Sequence, residues 1–266
     1  MIVRVLGCAG GEARGRRATS VLIGDRLLID AGSAASTLDP AEQMRLEWVL
    51  LTHPHLDHVK ELPFLCDNRV VAGGPPLSLF ATADKVAAVR EHLLNGELYP
   101  DWTRVPEGAP ALVVETIEPG RPFRIGGLAI EAVPLRHPGG CVAYVLEGQG
   151  GALVWAGDTG PAPELRATVA ARGGRVRALA LEVSMPDRLT DLALRTGHLT
   201  PSLLRAEIEE LGDTQAEIWV HHLKPPLRDE TLREIAGLGL PRLRVLEDGD
   251  RIEVDLGAEF PDGATP

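Results

Sequence analysis

Thr52-His53-Pro54-His55-Leu56-Asp57-His58 is the stretch on which the reading of this chain turns. Between positions 53 and 58 it holds three imidazoles and a carboxylate. It follows the apolar run Trp48-Val49-Leu50-Leu51, which reads as a buried strand. The polar cluster therefore stands where a strand ends and a helix begins. His53 and His55, two positions apart, can face one way, while Asp57 and His58 face another as the backbone turns. That division suits two metal ions side by side, and imidazole combined with carboxylate favours zinc, manganese or iron. Surface histidines beside an N-cap aspartate are the bland alternative. Four ligand-type residues packed directly after an apolar strand argue against it.

The chain has 266 residues and 44% hydrophobic content, enough for one large core or two tightly packed halves. Aromatics are 4% of the residues, so that core must rest on Val, Leu, Ile and Ala. A net charge of −11 argues against an extended nucleic-acid surface. It leaves room for a small anionic substrate, because bound cations reverse the sign locally. The three cysteines, Cys8, Cys66 and Cys141, are scattered and offer neither a disulfide framework nor a Cys-x-x-Cys metal site. No basic leader precedes the first strand and no apolar run reaches membrane-spanning length. The expectation is a cytoplasmic protein with no membrane contact.

Upstream of the motif, residues 2–6 read as a strand broken by Gly7-Cys8-Ala9-Gly10-Gly11. Arg14-Gly15-Arg16-Arg17 then reads either as a loop beside an anionic substrate or as a solvated basic loop. Residues 20–23 and 26–29 form a hairpin across Gly24-Asp25 and end in Asp30-Ala31-Gly32. Downstream, a helix runs from the motif to about residue 65, followed by a strand at 77–81 and a helix at 83–94. Residues 95–103 read as a loop over the site. Their Tyr99 and Trp102 either stack on a base or form a local apolar cluster.

Strands at 113–116, 123–125 and 128–133 lead to His137. A hairpin at 141–147 and 152–156 ends in Gly157-Asp158-Thr159-Gly160. After a helix at 163–171, a strand at 178–181 closes on Glu182. A polar, mixed stretch at 183–196 leads to Gly197-His198-Leu199-Thr200-Pro201, with Thr200 as N-cap of a helix at 202–211. A strand at 218–220 ends at His221-His222, and a helix at 228–236, strands at 243–245 and 251–254 and a loose tail at 259–266 finish the chain. A weak internal repeat sets strand–Asp30-x-Gly and a strand ending in His53 against strand–Asp158-x-Gly and a strand ending in His222. The pattern alone supports a mixed α and β fold.

The seven-residue motif resembles that of the metallo-β-lactamase superfamily. With Gly197-His198-Leu199-Thr200-Pro201 and His222-Leu223-Lys224-Pro225, the resemblance is nearest to class II 3′,5′-cyclic-nucleotide phosphodiesterases and spans most of the chain. The His-x-Thr element is also similar to that of ribonuclease Z-type enzymes. The resemblance implies an α/β fold of the four-layer αββα type, with residues 1–266 as a single metallo-hydrolase domain built from two similar halves. It implies His53, His55 and His137 as ligands of one ion and Asp57, His58 and His222 as ligands of a second. Asp158 would bridge them, and Asp30 would support a motif histidine. His222, not the adjacent His221, matches the family position before an apolar residue, Lys and Pro.

Two divalent ions are implied, zinc first, with manganese and iron as alternatives. Such a pair lowers the pKa of a shared water toward neutrality. His198, Asp57 and Glu182 carry the catalytic assignments: His198 as general acid for the leaving 3′ oxygen, Glu182 orienting it. The implied activity is hydrolysis of cyclic AMP or cyclic GMP to 5′-nucleotides. A ribonuclease Z-like nuclease, a lactonase, a phosphotriesterase or another small phosphodiesterase are the alternatives. The acidic charge and the lack of a basic Gly/Pro-rich arm weigh against the nuclease. The expected partner is a small anionic phosphodiester, and a homodimer is compatible with the sequence.

Overall fold

The structure is a computed structural model, and it describes residues 1–212 and 214–260. In chain order the strands are β1 (Ile2–Gly7), β2 (Ser20–Ile23), β3 (Leu27–Ile29), β4 (Trp48–Leu50), β5 (Leu77–Ala81), β6 (Leu112–Thr116) and β7 (Phe123–Ile125). They continue with β8 (Leu128–Leu135), β9 (Cys141–Glu147), β10 (Ala152–Ala156), β11 (Val176–Glu182), β12 (Glu217–His221), β13 (Leu243–Val245) and β14 (Arg251–Glu253). Among the described residues they make two seven-stranded sheets, ordered β14-β1-β2-β3-β4-β5-β6 and β13-β12-β11-β10-β9-β8-β7. Each sheet is antiparallel at one side. The neighbours β3 to β6 run parallel, and so do β10 to β13. Parallel neighbours need crossovers, which helices supply. Leu62–Val71 lies between β4 and β5, Ala83–His92 between β5 and β6, Pro163–Arg172 between β10 and β11, and Pro201–Leu211 between β11 and β12.

Period-2 alternation sorts the strand side chains into layers. Val21, Ile23, Leu27, Ile29, Trp48 and Leu50 of the first sheet share one core with Ile130, Tyr144, Leu146, Trp155 and Trp219 of the second. The alternate positions Leu22, Leu28 and Val49 pack instead on Leu62, Leu65, Val86 and Val89 of the first sheet's helices. On the far side, Val145, Val154, Leu179 and Val220 pack on Leu165, Val169, Leu204 and Ile235. The layers therefore run helix, sheet, sheet, helix, the αββα sandwich that the family resemblance implied. The few aromatics are spent where volume is needed: Trp155 and Trp219 are fully buried between the sheets.

Several local readings change. The helix after the motif is two pieces, Leu56–Val59 and Leu62–Val71, the second restarted with Pro63 in its first turn. Two short helices, Ala34–Thr37 and Pro40–Arg45, lie in the β3–β4 crossover. The second has a capping box between Asp39 and Glu42. They are too short for a helical period to show in sequence. The stretch read as polar and mixed contains the helix Thr190–Thr196. Trp102 is buried in the first sheet's outer core with Tyr99 against it, so the local apolar cluster describes it. Arg16 pairs with Glu247 at 2.6 Å, and the Arg17 guanidinium donates to the Leu6 carbonyl, so both stitch the first loop to its surroundings. At the C-terminus, the Phe260 ring packs 5.4 Å from that of Trp48, and residues 261–266 of the tail lie outside the described residues. Among the described residues no helix is long and apolar enough to cross a membrane.

Candidate metal centre

The carboxyl ends of the parallel strands converge on one edge of the sandwich, the place where α/β sheets open a crevice. Past β3 stands Asp30, past β4 come Thr52 and the motif, and past β10 comes Asp158. Glu182 ends β11, and His222 follows β12. His137 follows β8 two residues after the strand ends. Two of these turns are backbone outliers for residues other than glycine: Asp30 has φ 59° and His222 φ 68°. Such left-handed positions cost energy and concentrate at functional sites. Gly10 permits the close passage beside His222. A Cβ there would lie 2.4 Å from the His222 carbonyl oxygen and 2.7 Å from its Nδ1.

All seven side chains assigned to metal in the sequence come together. One donor atom each from His53, His55, His137 and Asp158 lies within 4.8 Å of the others, and so do those of Asp57, His58 and His222. Asp158 stands between the sets: its Oδ1 is 3.1 Å from His222 Nε2 and 3.3 Å from His58 Nε2, and its Oδ2 is 3.7 Å from His53 Nε2. His58 Nε2 and His222 Nε2 are 3.1 Å apart, and His55 Nδ1 is 3.2 Å from His137 Nε2. Nitrogens crowded in this way need a shared electrophile, a proton or a cation.

The donor set fits divalent ions. His53 Nε2 is buried with no hydrogen-bond partner, and the imidazole nitrogens near buried Asp158 Oδ1 make no aligned hydrogen bond to it, a costly arrangement unless something else satisfies these atoms. Burial drives the imidazoles of His53, His55 and His137 below their ordinary pKa, into the neutral form that binds metal. Burial opposes ionisation of Asp158, but His222 and His58 outweigh it and hold the carboxyl well below the usual range. Asp57 is likewise held below the usual carboxylate range, because His222, 3.4 Å away, and His58 outweigh the effect of burial. His55 is exposed and the Asp57 side chain is partly exposed, while the His137 side chain is buried, so the cluster opens to solvent on the side of His55 and Asp57. Structural zinc sites are closed, whereas catalytic ones keep an open position.

Each buried imidazole is tied at its far nitrogen, the arrangement that fixes a ligating histidine. His58 Nδ1 meets Asp30 Oδ2 at 2.7 Å, and His137 Nδ1 donates to the Gly197 carbonyl at 3.0 Å. His198 sits beside the cluster, its ring 5.0 Å from that of His137. Its Nδ1 is 2.6 Å from Glu182 Oε1. Burial works against charge on His198, but the Glu182 carboxylate outweighs it and raises the imidazole above its ordinary pKa.

His221 faces the other way. It stacks on Trp155 at 4.6 Å, its Nε2 donates to the Ala156 carbonyl at 3.0 Å, and burial with the neighbouring His222 pushes its pKa down to about 3. It is a neutral core histidine. Sequence reasoning gave no role to Thr52 Oγ1, 3.1 Å from His53 Nδ1, or to Ser184 Oγ, 3.0 Å from His222 Nδ1. The signal for Ser184 was its spacing: two residues beyond Glu182 on extended chain, it shares that residue's face.

A family model described as a beta-lactamase superfamily domain matches residues 25–222. The chain is 25% identical over 239 residues to a probable 3′,5′-cyclic-nucleotide phosphodiesterase of Yersinia pestis, an alignment covering 79% of this chain and 64% of that protein. It is 33% identical over 106 residues to ribonuclease BN of Cronobacter sakazakii, covering 40% of this chain and 32% of the relative. The chain thus spans under two thirds of the length of either curated relative. The structure of unliganded yeast PDE1 superposes with a TM-score of 0.79 at 15% identity, covering 93% of this chain and 98% of that one.

Proposed function

The chain belongs to the metallo-β-lactamase superfamily, and from that premise we propose that it is a metal-dependent phosphodiesterase hydrolysing 3′,5′-cyclic nucleotides, cyclic AMP or cyclic GMP, to 5′-nucleotides. His53, His55 and His137 would hold one divalent ion and Asp57, His58 and His222 a second, with Asp158 within reach of both. Imidazole with carboxylate favours zinc, and manganese or iron also suit the set. When bound, the ions acidify water and neutralise charge that builds on the phosphoryl oxygens.

The observation that carries the reading is the Glu182–His198 pair at 2.6 Å, placed beside the cluster. Glu182 occupies Nδ1 of His198, which leaves Nε2 as the nitrogen that gives up a proton. The raised pKa keeps that proton available. Opening a cyclic phosphodiester expels a ribose alkoxide, a poor leaving group that needs protonation. Asp57, ionised and partly exposed, is the acceptor that orients the attacking water. A small anionic substrate is in keeping with the net charge of −11, which argues against an extended nucleic-acid surface. Relatedness to a probable cyclic-nucleotide phosphodiesterase supports the same substrate class.

A nuclease of the ribonuclease Z kind is the second reading, favoured by the 33% identical segment of ribonuclease BN. One panel separates the two. Protein loaded in turn with zinc, manganese and iron is given cyclic AMP, cyclic GMP, precursor tRNA, a lactone and a nitrophenyl phosphodiester. Turnover of a cyclic nucleotide to its 5′-monophosphate is expected. Cleavage of precursor tRNA with inert cyclic nucleotides would replace the proposal by the nuclease.

A further inference from the structure

Two hydroxyl groups in the site take no part in the reaction proposed above, and both are sealed from solvent. Thr52 Oγ1 lies 2.8 Å from Asp30 Oδ2 and 3.1 Å from His53 Nδ1. Ser184 Oγ lies 2.9 Å from Glu182 Oε2, 3.0 Å from His222 Nδ1 and 3.1 Å from His198 Nδ1. A hydroxyl has one proton to give and two lone pairs to offer. Each hydroxyl donates to its carboxylate and so turns its lone pairs to the imidazole. Nδ1 of His53 and of His222 then carries the ring proton, and Nε2 keeps its lone pair toward the cluster.

The same two carboxylates each hold another imidazole directly: Asp30 that of His58 at 2.7 Å, and Glu182 that of His198 at 2.6 Å. Each sheet therefore supplies one buried carboxylate that governs two imidazoles, one by contact and one through a hydroxyl. The other group near His53 Nδ1 is Cys141 Sγ at 3.6 Å, a weak acceptor whose thiol burial keeps protonated.

We propose that Thr52 and Ser184 are positioning residues, each relaying the hold of a buried carboxylate to a second imidazole and fixing it as an Nε2 metal ligand. Ser184 does more than Thr52, because its hydroxyl also touches His198 and so joins a metal-site imidazole to the proton-donating pair. The inference rests on the metal-centre reading and not on the identity of the substrate. It differs from the support that Asp30 gives His58, because neither hydroxyl is a charged group and each reaches its histidine only by being hydrogen-bonded on both sides.

The test uses the full chain and zinc alone. Zinc affinity is titrated against a competing chelator for wild type, Thr52→Val, Thr52→Ser, Ser184→Ala and Ser184→Thr, and the imidazole N–H resonances of the zinc-loaded proteins are recorded by nitrogen-15 NMR. Thr52→Val and Ser184→Ala are expected to weaken one zinc site each by roughly 10- to 100-fold. Each should also lose or speed the exchange of one Nδ1–H resonance while the His58 resonance persists. Thr52→Ser and Ser184→Thr should restore both properties. Wild-type zinc affinity with unchanged resonances in Thr52→Val and Ser184→Ala would overturn the proposal. Should those variants not fold, the wild-type spectrum decides alone. Protected Nδ1–H protons on His53 and His222 support the relay, and Nε2–H tautomers at either overturn it. Zinc effects as expected in a protein inert toward every phosphodiester would leave the relay standing and remove only the substrate reading.

Discussion

The carboxylate of Asp30 lies 2.7 Å from His58 Nδ1, and both side chains are fully closed from solvent. Asp30 adopts φ 59° to reach it, and its carboxylate also accepts from the backbone N–H of Thr52 and from that residue's hydroxyl, each at 2.8 Å. One carboxylate thus braces the start and the end of the histidine motif. Asp30→Ala should lower metal affinity by about 10- to 100-fold. The loss should equal or exceed that of Thr52→Val, because Thr52 passes on only part of what Asp30 holds. Chelator-competition titration measures both, and wild-type affinity in Asp30→Ala would return Asp30 to the role of a turn residue.

Seven donors exceed what one tetrahedral ion uses. Elemental analysis of fully loaded protein should approach two metal equivalents per chain. Asp158→Ala should lose metal from both positions together, because Asp158 lies within 3.7 Å of imidazole nitrogens from both sets. A single equivalent, with no weaker second site on titration, would reduce the centre to a mononuclear one.

His221 and His222 are adjacent in sequence and opposite in environment. His222→Ala should abolish tight metal binding at its site while leaving the sandwich folded. His221→Ala removes a ring stacked on Trp155 and a donor to the Ala156 carbonyl. It should cost roughly 2–4 kcal/mol of stability with metal stoichiometry unchanged. Denaturant unfolding beside elemental analysis checks both. Metal loss in His221→Ala greater than its destabilisation predicts would bring His221 into the centre.

How far the sequence could be read depended on whether a signal was local. The motif was legible because His53, His55, Asp57 and His58 lie within one turn of chain after an apolar strand. The layering was legible because strands such as β4 bury both faces with period 2. Choosing His222 over His221 needed the family resemblance, since the histidines differ only in which side of β12's end they face. The role of Ser184 was only half legible: its spacing pointed to Glu182, but His198 and His222 are brought to it by tertiary contacts. The internal repeat misled in one respect. It pairs Asp30 with Asp158, yet the residue that acts like Asp30, a buried carboxylate bracing an imidazole, is Glu182. Equivalent positions in the two halves carry different chemistry, a difference that spacing does not record.

The proton-donating role given to His198 can be tested through the leaving group. Attack of water on phosphorus needs no proton from His198. The departing ribose oxygen does need a proton, and Glu182 holds His198 in the tautomer that offers one from Nε2. A nitrophenolate departs readily without protonation. His198→Ala should therefore slow turnover of cyclic AMP by roughly 10²–10⁴. The same variant should keep most of its activity on a nitrophenyl phosphodiester with both metals bound. Glu182→Gln should show the same selectivity in weaker form, because it loosens the imidazole without removing it. Parallel losses on the two substrates would show that His198 binds the phosphate or braces the site and donates no proton to the leaving oxygen.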